Sequence, residues 1–426
     1  MSVRLVSRDA THLTIELKIP LKSNSFLESE ETIQTVLNEA GNLATGEALQ
    51  QFDTDGSALE HGGETWTSKG LSPKRYQTPY GVVSVSRHLY QRSSGGETFC
   101  PLEIDGRILH TATPRFAQQI SHKYAEMSSP RLVEDLRANH GRTVTRSLVQ
   151  TLAEAVGAIA QLKEEDWHYQ MPKVPEPVTS VSLGLDGTCM LFCEGGYRQA
   201  MVGTISLYDS SGERQHTTYV AASPEHGRTT FLSRMTREIE QVKRLYPEAH
   251  YQGLADGAPE NWTFLDQHTD SQVVDFYHVS EYLNRASKAK HPKNSADQAV
   301  WMQDQCHRLK HDLGAAETLL AELEAIPLRG RSPGVQDDLT AAITYFRNHG
   351  HQMAYAEARA QQLPIGSGVT EAACKVIVKA RLCAAGMKWL DQGAAVVLSL
   401  RTLTHSKGRW QQFWSKINQY GFNSIE

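Results

Sequence analysis

The sequence predicts a multidomain α+β protein with a mixed β-sheet that is interrupted by a long helical insertion. Three observations support this fold class. The 426 residues exceed what one ordinary core holds, so two to four domains are expected. Between residues 180 and 276, apolar alternating segments give way to strands that alternate with helices, which is typical of a mixed sheet. Residues 282–362 then follow a polar helical pattern that is too long for a loop.

Composition excludes several protein classes. The chain is 40% apolar and 21% charged, and no stretch approaches the roughly 18 apolar residues of a membrane span, so no membrane partner is expected. The first residues lack the apolar run of a signal peptide. Six scattered cysteines include no Cys-x-x-Cys pair, which argues against a zinc ribbon and a disulfide framework. These features favour a reducing cytoplasm, and binding to the chromosome there would make the protein nucleoid-associated.

The charge is unevenly distributed along the chain. The net charge of −5 argues mildly against nucleic-acid binding. Residues 1–60 carry four basic and ten acidic side chains, whereas residues 371–426 carry eight basic and three acidic ones. Because phosphate contacts need a local basic field, the C-terminal segment remains a candidate nucleic-acid surface. An ordinary solvated helix face is the alternative interpretation.

Residues 1–110 are predicted to form an N-terminal α/β module. A short strand at 13–19 precedes an acidic amphipathic helix at 28–50. The Gly/Ser-rich residues 53–72 are predicted to be a connecting stretch. Alternating residues 76–90 then predict a hairpin-like segment, which a turn and a strand-like piece at 98–102 complete.

Residues 111–170 are predicted to form a helical, helix-turn-helix-like DNA-binding region. Helices are expected at 114–127, at 130–139 with Ser129 as the N-cap, and from Thr143 or Thr145 to Leu162. In a helix-turn-helix, the third helix would enter the major groove and offer Arg142, Arg146 and Gln150. A plain helical hairpin that packs on a core is the competing interpretation.

The remaining chain is divided into three further segments. Residues 177–281 are predicted to be the first part of a ribonuclease H-like mixed sheet, residues 282–362 a helical insertion, and residues 363–426 the last part of the core with C-terminal helices. The first segment is predicted to contain strands at 180–186, 189–193, 200–208, 250–255 and 272–276, a helix at 229–245, and a further extended piece at 215–221.

Three carboxylates in unlike local settings are the main candidates for chemistry. Asp186 and Asp256 each end an apolar alternating run, and Glu371 opens a helical pattern after the loop Pro-Ile-Gly-Ser-Gly. Two strand-end aspartates and a helix-borne glutamate can meet at one edge of a mixed sheet. Like charges gathered there need a counter-cation. Hard oxygen ligands select Mg²⁺ or Mn²⁺, and two such ions support in-line phosphoryl transfer.

Each carboxylate also has a plain structural interpretation. Asp186 and Asp256 both precede glycine, and Asp-Gly is a common hairpin turn. Glu371 alone would be a carboxylate that the helix dipole favours. It is the joint pattern that favours a catalytic site.

The order of several motifs resembles the bacterial insertion-sequence transposases of the DDE type, most closely the ISKra group. These motifs are Gly-Leu-Asp-Gly-Thr at 184–188, Ala-Asp-Gly-Ala at 255–258, Asp-Phe-Tyr-His at 275–278, Leu-Pro-Ile-Gly-Ser-Gly-Val-Thr-Glu at 363–371, and Gly-Met-Lys-Trp at 386–389. The resemblance covers about residues 78–389. Its most specific part is Pro-Ile-Gly-Ser-Gly-x-x-Glu together with the two spaced aspartates.

The resemblance implies a DNA transposase that binds the ends of a mobile element and cuts and joins strands with divalent metal. Carried over by position, Asp186, Asp256 and Glu371 become the ligands of two Mg²⁺ or Mn²⁺ ions per active site. Relatives often carry a Cys-x-x-Cys-Gly pair after the N-terminal hairpin. Here only Cys100 lies nearby, so no zinc is expected.

Basic residues near Glu371 are candidate contacts to double-stranded DNA. Lys375 and Lys379 are predicted to lie on the same helix face as Glu371, where they would clamp phosphates or, alternatively, only stabilise the helix. Arg381 and Lys388 extend the basic character. His278 is a possible active-site neighbour, although a structural histidine is the more usual outcome.

Two rival functions and an assembly state complete the expectations. A domesticated transposase that acts as a non-catalytic DNA-binding protein is the first rival, and intact carboxylates argue against it. A glycoside hydrolase using two of the carboxylates is the second, but clusters of sugar-binding aromatic residues are not found. Because two element ends must be held together, a homodimer or larger assembly on DNA is expected.

Overall fold

The computed structural model describes residues 2–22 and 24–422. Helices make up 50% of the chain and strands 21%, which confirms the predicted α+β class. The chain divides into two compact units: the first unit comprises 1–169, 399–404 and 409–426, and the second unit comprises 170–398 and 405–408. The end of the chain thus returns to the first unit rather than only completing the predicted 363–426 core segment. Ser23 and the last four residues of that segment lie outside the described residues.

The first unit contains two small antiparallel sheets and one long helix. Its elements are β1 (Val3–Arg8), β2 (Leu13–Leu17), α1 (Phe26–Gln50), β3 (Leu59–His61), β4 (Glu64–Gln77), β5 (Val82–Arg92) and β6 (Thr98–Phe99). The strands pair as β1-β2 and as β3-β4-β5-β6. The prediction that residues 53–72 form only a connection is wrong, because much of that stretch pairs with β5 across a bulge between Ser68 and Leu71.

The helices of the first unit are α2 (Pro101–Asp105), α3 (Pro114–Glu126), α4 (Ser129–His140), α5 (Arg146–Leu162) and, from the end of the chain, the helix Arg409–Tyr420. The helices α3, α4 and α5 lie close to their predicted positions. The strand-like piece predicted at 98–102 is wrong beyond Phe99, because α2 begins at Pro101. Thr145 caps α5, since its side chain accepts from the backbone of Leu148. The predicted N-cap Ser129 is wrong by one residue, because Ser128 holds that position. Gly141 ends α4 with a left-handed backbone, as a helix C-terminus commonly requires.

Glu103 joins the second sheet to α2 through a half-buried carboxylate. It accepts hydrogen bonds from Lys74, Tyr76 and Arg87 at 2.8, 2.6 and 3.2 Å. Burial raises the pKa of this carboxyl, but the three donors outweigh burial and hold the pKa below its usual value. The folded protein therefore stabilises the ionised form of Glu103 more than the unfolded chain does.

We expect Glu103→Gln to lower the free energy of unfolding by about 1–3 kcal/mol at pH 7, since hydrogen bonds to a charged acceptor are lost. Because its pKa is lower in the folded state, the Glu103 carboxyl stabilises the fold at pH values above its unfolded pKa of about 4.3. This stabilisation is lost as the pH falls through the folded-state pKa. Urea unfolding of the wild type and the variant at pH 7 and pH 3 measures this. An equal difference in unfolding free energy between wild type and variant at both pH values would contradict a stabilising role for the ionised carboxylate.

The second unit contains a five-stranded mixed sheet. Its strands are β7 (Ser180–Leu191), β8 (Tyr197–Tyr208), β9 (Arg214–Ala222), β10 (His250–Ala255) and β11 (Ser271–Val274). They lie in the order β11-β10-β7-β8-β9. The strands β7, β8 and β9 are antiparallel, whereas β10 and β11 run parallel to β7. The prediction of two separate strands at 180–186 and 189–193 is wrong, because β7 continues unbroken through Asp186 and Gly187.

Helices cover both faces of this sheet. One face packs against α6 (Gly227–Leu245) and α7 (Pro259–Asp266): a side chain added at Gly203 would meet Met235 of α6 at 2.3 Å. Leu185 pairs with Gly203 and so faces the same way. Residues 364–379 cover part of the opposite face: the Thr370 hydroxyl contacts that of Thr204, and the Pro364 carbonyl accepts from Gln252. Asp186, the residue after Leu185, faces this side.

The predicted helical insertion contains five helices, and the first of them begins at Phe276, before the expected residue 282. These are α8 (Phe276–Lys290), α9 (Ser295–His311), α10 (Ala315–Glu324), α11 (Pro333–His349) and α12 (Tyr355–Ala360). After them come α13 (Gly368–Ala373), a π-helical segment (Cys374–Lys379), α14 (Ala380–Leu382) and α15 (Asp391–His405); the final helix, Arg409–Tyr420, is α16. No helix within the described residues is both long enough and apolar enough to cross a membrane.

Candidate active site

Asp186 lies within β7, and Asp256 follows β10, the parallel neighbour of β7. The last residue pair between these strands is Gly184 with Leu254, and each aspartate lies two residues beyond its member of that pair. The strand β7 has β8 on one side and β10 on the other, so the order of the strands reverses at β7. Open sheets most often bind ligands at such a reversal, beyond the carboxyl ends of the parallel strands. Asp186, however, lies within its strand, whereas Asp256 directly follows the end of β10.

The alternation of side chains along β7 and β10 shows which face of the sheet each strand presents to α13. Thr204, the partner of Gly184, lies 2.7 Å from Thr370 of α13 through their hydroxyl oxygens. Gln252 of β10 donates its side-chain amide to the carbonyl of Pro364. Because side chains two residues apart in a strand share a face, Asp186 lies on the face that α13 and its preceding loop cover, and Leu254 of β10 faces the same way.

Glu371 is carried to this face by a close approach of helix and strand. A side chain added at Gly184 would lie 2.0 Å from the Thr370 hydroxyl, so only glycine admits α13 at this distance. Glu371 follows Thr370 directly and is half-buried. The structure thus brings the three predicted carboxylates to one sheet.

Cys374 links the helix of Glu371 to Asp186. Its thiol lies 3.3 Å from Asp186 Oδ2, while Oδ1 of the same carboxylate accepts from the backbone of Gly187 at 2.6 Å. Burial raises the pKa of the Cys374 thiol, and the neighbouring Asp186 and Glu371 add to the effect. The protonated thiol therefore donates to Asp186. It lies at the start of the π-helical segment 374–379, a rare geometry that is frequent at functional sites.

Asp275 is a fourth carboxylate whose role sequence patterns did not reveal. It is 1% exposed. Its Oδ1 caps α8 by accepting from Tyr277 at 2.5 Å, and its Oδ2 accepts from the backbone and hydroxyl of Ser367. The Ser367 oxygen in turn lies 3.4 Å from Glu371 Oε1. Asp275 therefore positions the loop from which Glu371 starts. Its place in the Asp-Phe-Tyr-His motif was the available signal.

Aromatic side chains from α11 flank Asp256. The Tyr345 hydroxyl donates to the Asp256 carbonyl at 3.3 Å. Gly257 has φ +109°, and a side chain there would meet the His349 ring at 3.2 Å. The Asp256 carboxylate itself is exposed and accepts from the Ala258 backbone at 3.3 Å. The helical insertion thus contributes to the surroundings of Asp256, which sequence spacing alone did not indicate.

The other predicted site residues are spread over the surface near α13 and α8. Lys375, Lys379 and Lys388 are exposed, the first two within the π-helical segment. His278 lies in the first turn of α8, with its Nδ1 3.6 Å from Glu281 Oε2. Hydrogen bonds to the Asp186, Asp256 or Glu371 carboxylates are not found for His278 among the described residues.

Arg142 and Arg381 are buried rather than exposed. Arg142 is 5% exposed and donates to the Thr78 carbonyl and to Gln77 at 3.1 and 2.9 Å. Arg381 is 4% exposed and lies 5.2 Å from the centre of the Trp389 ring. Both guanidinium groups thus have structural contacts within their own units. Arg146 and Gln150, by contrast, are exposed at the start of α5.

The three carboxylates lie at one sheet but are not drawn together around a common centre. Within the described residues, three or more His, Cys, Asp or Glu side chains in an arrangement that could hold a metal ion are not found. Carboxylate oxygens of Asp186 and Glu371 accept from the Cys374 thiol and the Ser367 hydroxyl. The exposed Asp256 carboxylate accepts from the backbone of Ala258 and is the least restrained of the three.

Comparison with known proteins adds no family assignment. No model of a known protein family matches the chain, and none of the curated proteins with which it was compared matches it.

Proposed function

We propose that this protein is a DNA transposase of the DDE type, which cleaves and joins DNA strands at a site formed by Asp186, Asp256 and Glu371. The observation that carries the proposal is that each aspartate lies two residues beyond the last residue pair between β7 and β10, with Glu371 on α13, which packs on the same sheet. The sheet thus gathers carboxylates from segments 70 and 115 residues apart. Structural turns and helix ends alone give no reason for that arrangement.

The topology of the second unit supports a ribonuclease H-like catalytic domain. Three antiparallel strands are followed by two that run parallel to the first, with helices between the later strands. A helical insertion before Glu371 fits the resemblance to transposases with an inserted domain. Because one fold hosts many functions, the sheet supports the proposal only together with the carboxylates.

The donor set suits Mg²⁺ or Mn²⁺. Asp186, Asp256 and Glu371 offer only carboxylate oxygens, which are the ligands that these hard cations prefer. The adjacent Cys374 is a protonated thiol that donates to Asp186. When bound, a pair of such ions would activate the attacking water or 3′-hydroxyl and stabilise the leaving oxygen of the phosphodiester.

Neighbouring side chains position the ligands. Cys374 orients Asp186, and the Asp275–Ser367 pair fixes the loop that leads to Glu371. Such outer contacts hold reacting groups in a defined geometry before substrate arrives. The Tyr345 hydroxyl restrains the backbone at Asp256. The Asp256 carboxylate is exposed and accepts from the backbone of Ala258.

Exposed basic side chains supply the proposed DNA contacts. Lys375, Lys379 and Lys388 lie close in sequence to Glu371 and would contact phosphates, whereas Arg146 at the start of α5 would read the groove. We leave Arg142 and Arg381 out of this set, because their guanidinium groups are buried. The proposed working species on DNA is at least a homodimer, since two element ends must be joined.

The test uses DNA that carries the gene with its flanking inverted repeats. We expect the protein to cut at the element ends and to join them to a target in Mg²⁺, and to do neither in EDTA. Binding to the ends without any metal-dependent cutting would favour the non-catalytic DNA-binding alternative. Absence of both binding and cutting would overturn the proposal.

A further inference from the structure

A concave pocket in the second unit has a basic wall and lies outside the candidate active site. Its volume is about 570 Å³, which is within the range of roughly 300–1,000 Å³ that is usual for ligand sites. We call it the basic pocket and define it by Ser211, Lys310, His311, Arg359, Gln362 and Pro364. Three of these six side chains are basic and none is acidic.

The two permanent cations of the basic pocket are not neutralised by carboxylates. Lys310 Nζ lies 4.3 Å from the centre of the Phe276 ring, and Arg359 Nη1 lies 2.9 Å from His311 Nε2. An ion pair with a carboxylate is found for neither Lys310 nor Arg359 in the part of the chain that the structure describes. Their charges are therefore available to a ligand.

Two other basic residues of the insertion are paired with carboxylates. Arg308, two residues before Lys310 on α9, binds Glu322 with both terminal nitrogens at 2.9 and 2.8 Å. Lys288 of α8 lies 3.3 Å from Asp338. Lys310 and Arg359 differ from these two residues because both line one concavity and neither has a carboxylate partner among the described residues.

The local fields favour an anion despite one opposing effect. Lys310 and His311 end α9, and Arg359 lies in the last turn of α12, so two helix C-termini lie near the basic pocket. Each C-terminus carries about half a negative charge, and the two full positive charges of Lys310 and Arg359 exceed their sum. Desolvation and the adjacent Arg359 lower the pKa of His311, so near pH 7 the neutral ring accepts the Arg359 hydrogen bond.

One wall of the basic pocket is the segment that leads to Glu371. Leu363, Pro364 and Ile365 line it. The Ile365 carbonyl accepts from the backbone of Phe276 at 3.1 Å, and Ser367 follows two residues later with its bonds to Asp275. An anion in the basic pocket would therefore rest against the loop that fixes the candidate catalytic glutamate.

We propose that the basic pocket binds a phosphodiester of the DNA substrate away from the bond that is cut, an inference that rests on the proposed function. Exposed side chains, rather than backbone N–H groups at a helix N-terminus, form the cationic wall. Such a wall suits a long polyanion more than a small enclosed phosphate, which proteins usually cradle with helix N-termini. The contact would be independent of base sequence.

The test measures fluorescence anisotropy of a labelled random-sequence duplex as a function of salt. We expect Lys310→Gln and Arg359→Gln each to weaken binding about eightfold near 0.1 M salt, because one phosphate contact contributes a slope of about 0.9. The double variant should lose about 60-fold and show a slope shallower by about 2. Arg359→Lys, which keeps the charge, should retain most of the binding.

Arg308→Gln is the matched control, since it removes one charge from the same turn of α9 while its guanidinium is already held by Glu322. We expect it to change affinity less than about twofold. Circular dichroism melting of every variant checks that a loss of binding is not a loss of folding. Losses for Arg308→Gln equal to those for Lys310→Gln would show a diffuse charge effect and overturn the pocket.

Two further arms separate the possible failures. Titration of the wild type with inorganic phosphate should show no saturable binding; saturable binding that Lys310→Gln abolishes, with DNA affinity unchanged, would assign the pocket to a small phosphate and overturn the proposal. If the wild type binds and cuts DNA but the double variant binds equally well, this inference alone fails. If the wild type binds no DNA, the proposed function fails with it.

Discussion

Asp256→Asn should abolish metal-dependent cleavage and leave binding to the element ends within about twofold of the wild type. Removal of one anionic ligand weakens metal binding at the point where charge develops in the transition state. We expect the cleavage rate to fall at least about a thousandfold, which corresponds to about 4 kcal/mol. The DNA contacts proposed here come from basic residues elsewhere, so affinity should persist. Single-turnover cleavage in Mg²⁺ and a binding titration provide the two measurements.

Asp304→Asn is a suitable control for this substitution. Asp304 is an exposed carboxylate on α9 in the same unit, so the charge change is identical while the candidate site is untouched. We expect it to cleave at the wild-type rate. Wild-type cleavage by Asp256→Asn in Mg²⁺ would remove Asp256 from the proposed mechanism.

Gly184→Ala should both destabilise the protein and impair cleavage. Its methyl group would lie 2.0 Å from the Thr370 hydroxyl, with the Thr204 hydroxyl at 2.9 Å. Overpacking of this kind costs about 1–3 kcal/mol. To relieve it, α13 must move away from β7, and Glu371 moves with it. Since misplacing a catalytic group by about 1 Å costs about a hundredfold in rate, we expect a loss of that size in single-turnover cleavage.

The control for Gly184→Ala is Gly334→Ala on α11, where an added methyl group meets nothing within 4 Å. Because alanine favours helices, this variant should be neutral or slightly more stable, with normal cleavage. Urea unfolding and cleavage assays on both variants make the comparison. If Gly184→Ala cleaves normally although its stability falls, Glu371 does not depend on the close approach of α13 to β7.

Periodicity predicted most helices and strands but missed features that depend on pairing partners. The five strands of the second unit were expected near their observed positions, because apolar alternation marks a half-buried strand. The polar stretch 64–72 was predicted as connection, yet it forms part of β4 because β5 supplies its hydrogen bonds. Likewise, Asp186-Gly187 has the signature of a turn, but pairing with Val202 and Met201 keeps it within β7.

Side-chain burial was harder to anticipate than position along the chain. The sequence singled out Asp186, Asp256 and Glu371, and the structure brings them to one sheet. Arg142 looked like a groove-reading residue, yet Thr78 and Gln77, more than sixty positions earlier, take up its donors. The π-helical segment after Glu371 leaves no periodic trace that could have been recognised. Partners distant in sequence decide such features, and a single sequence does not display them.

The position of the helical insertion has a consequence for the order in which the protein is made. Asp186 and Asp256 belong to strands that emerge from the ribosome before the insertion, and Glu371 follows 115 residues after Asp256. At synthesis rates of roughly 5–20 residues per second, the third carboxylate appears roughly 6–23 s later. In the proposed enzyme, every chain that stops before residue 371 therefore lacks a complete active site. Synthesis itself delays the ability to cut chromosomal DNA until the whole insertion has been made.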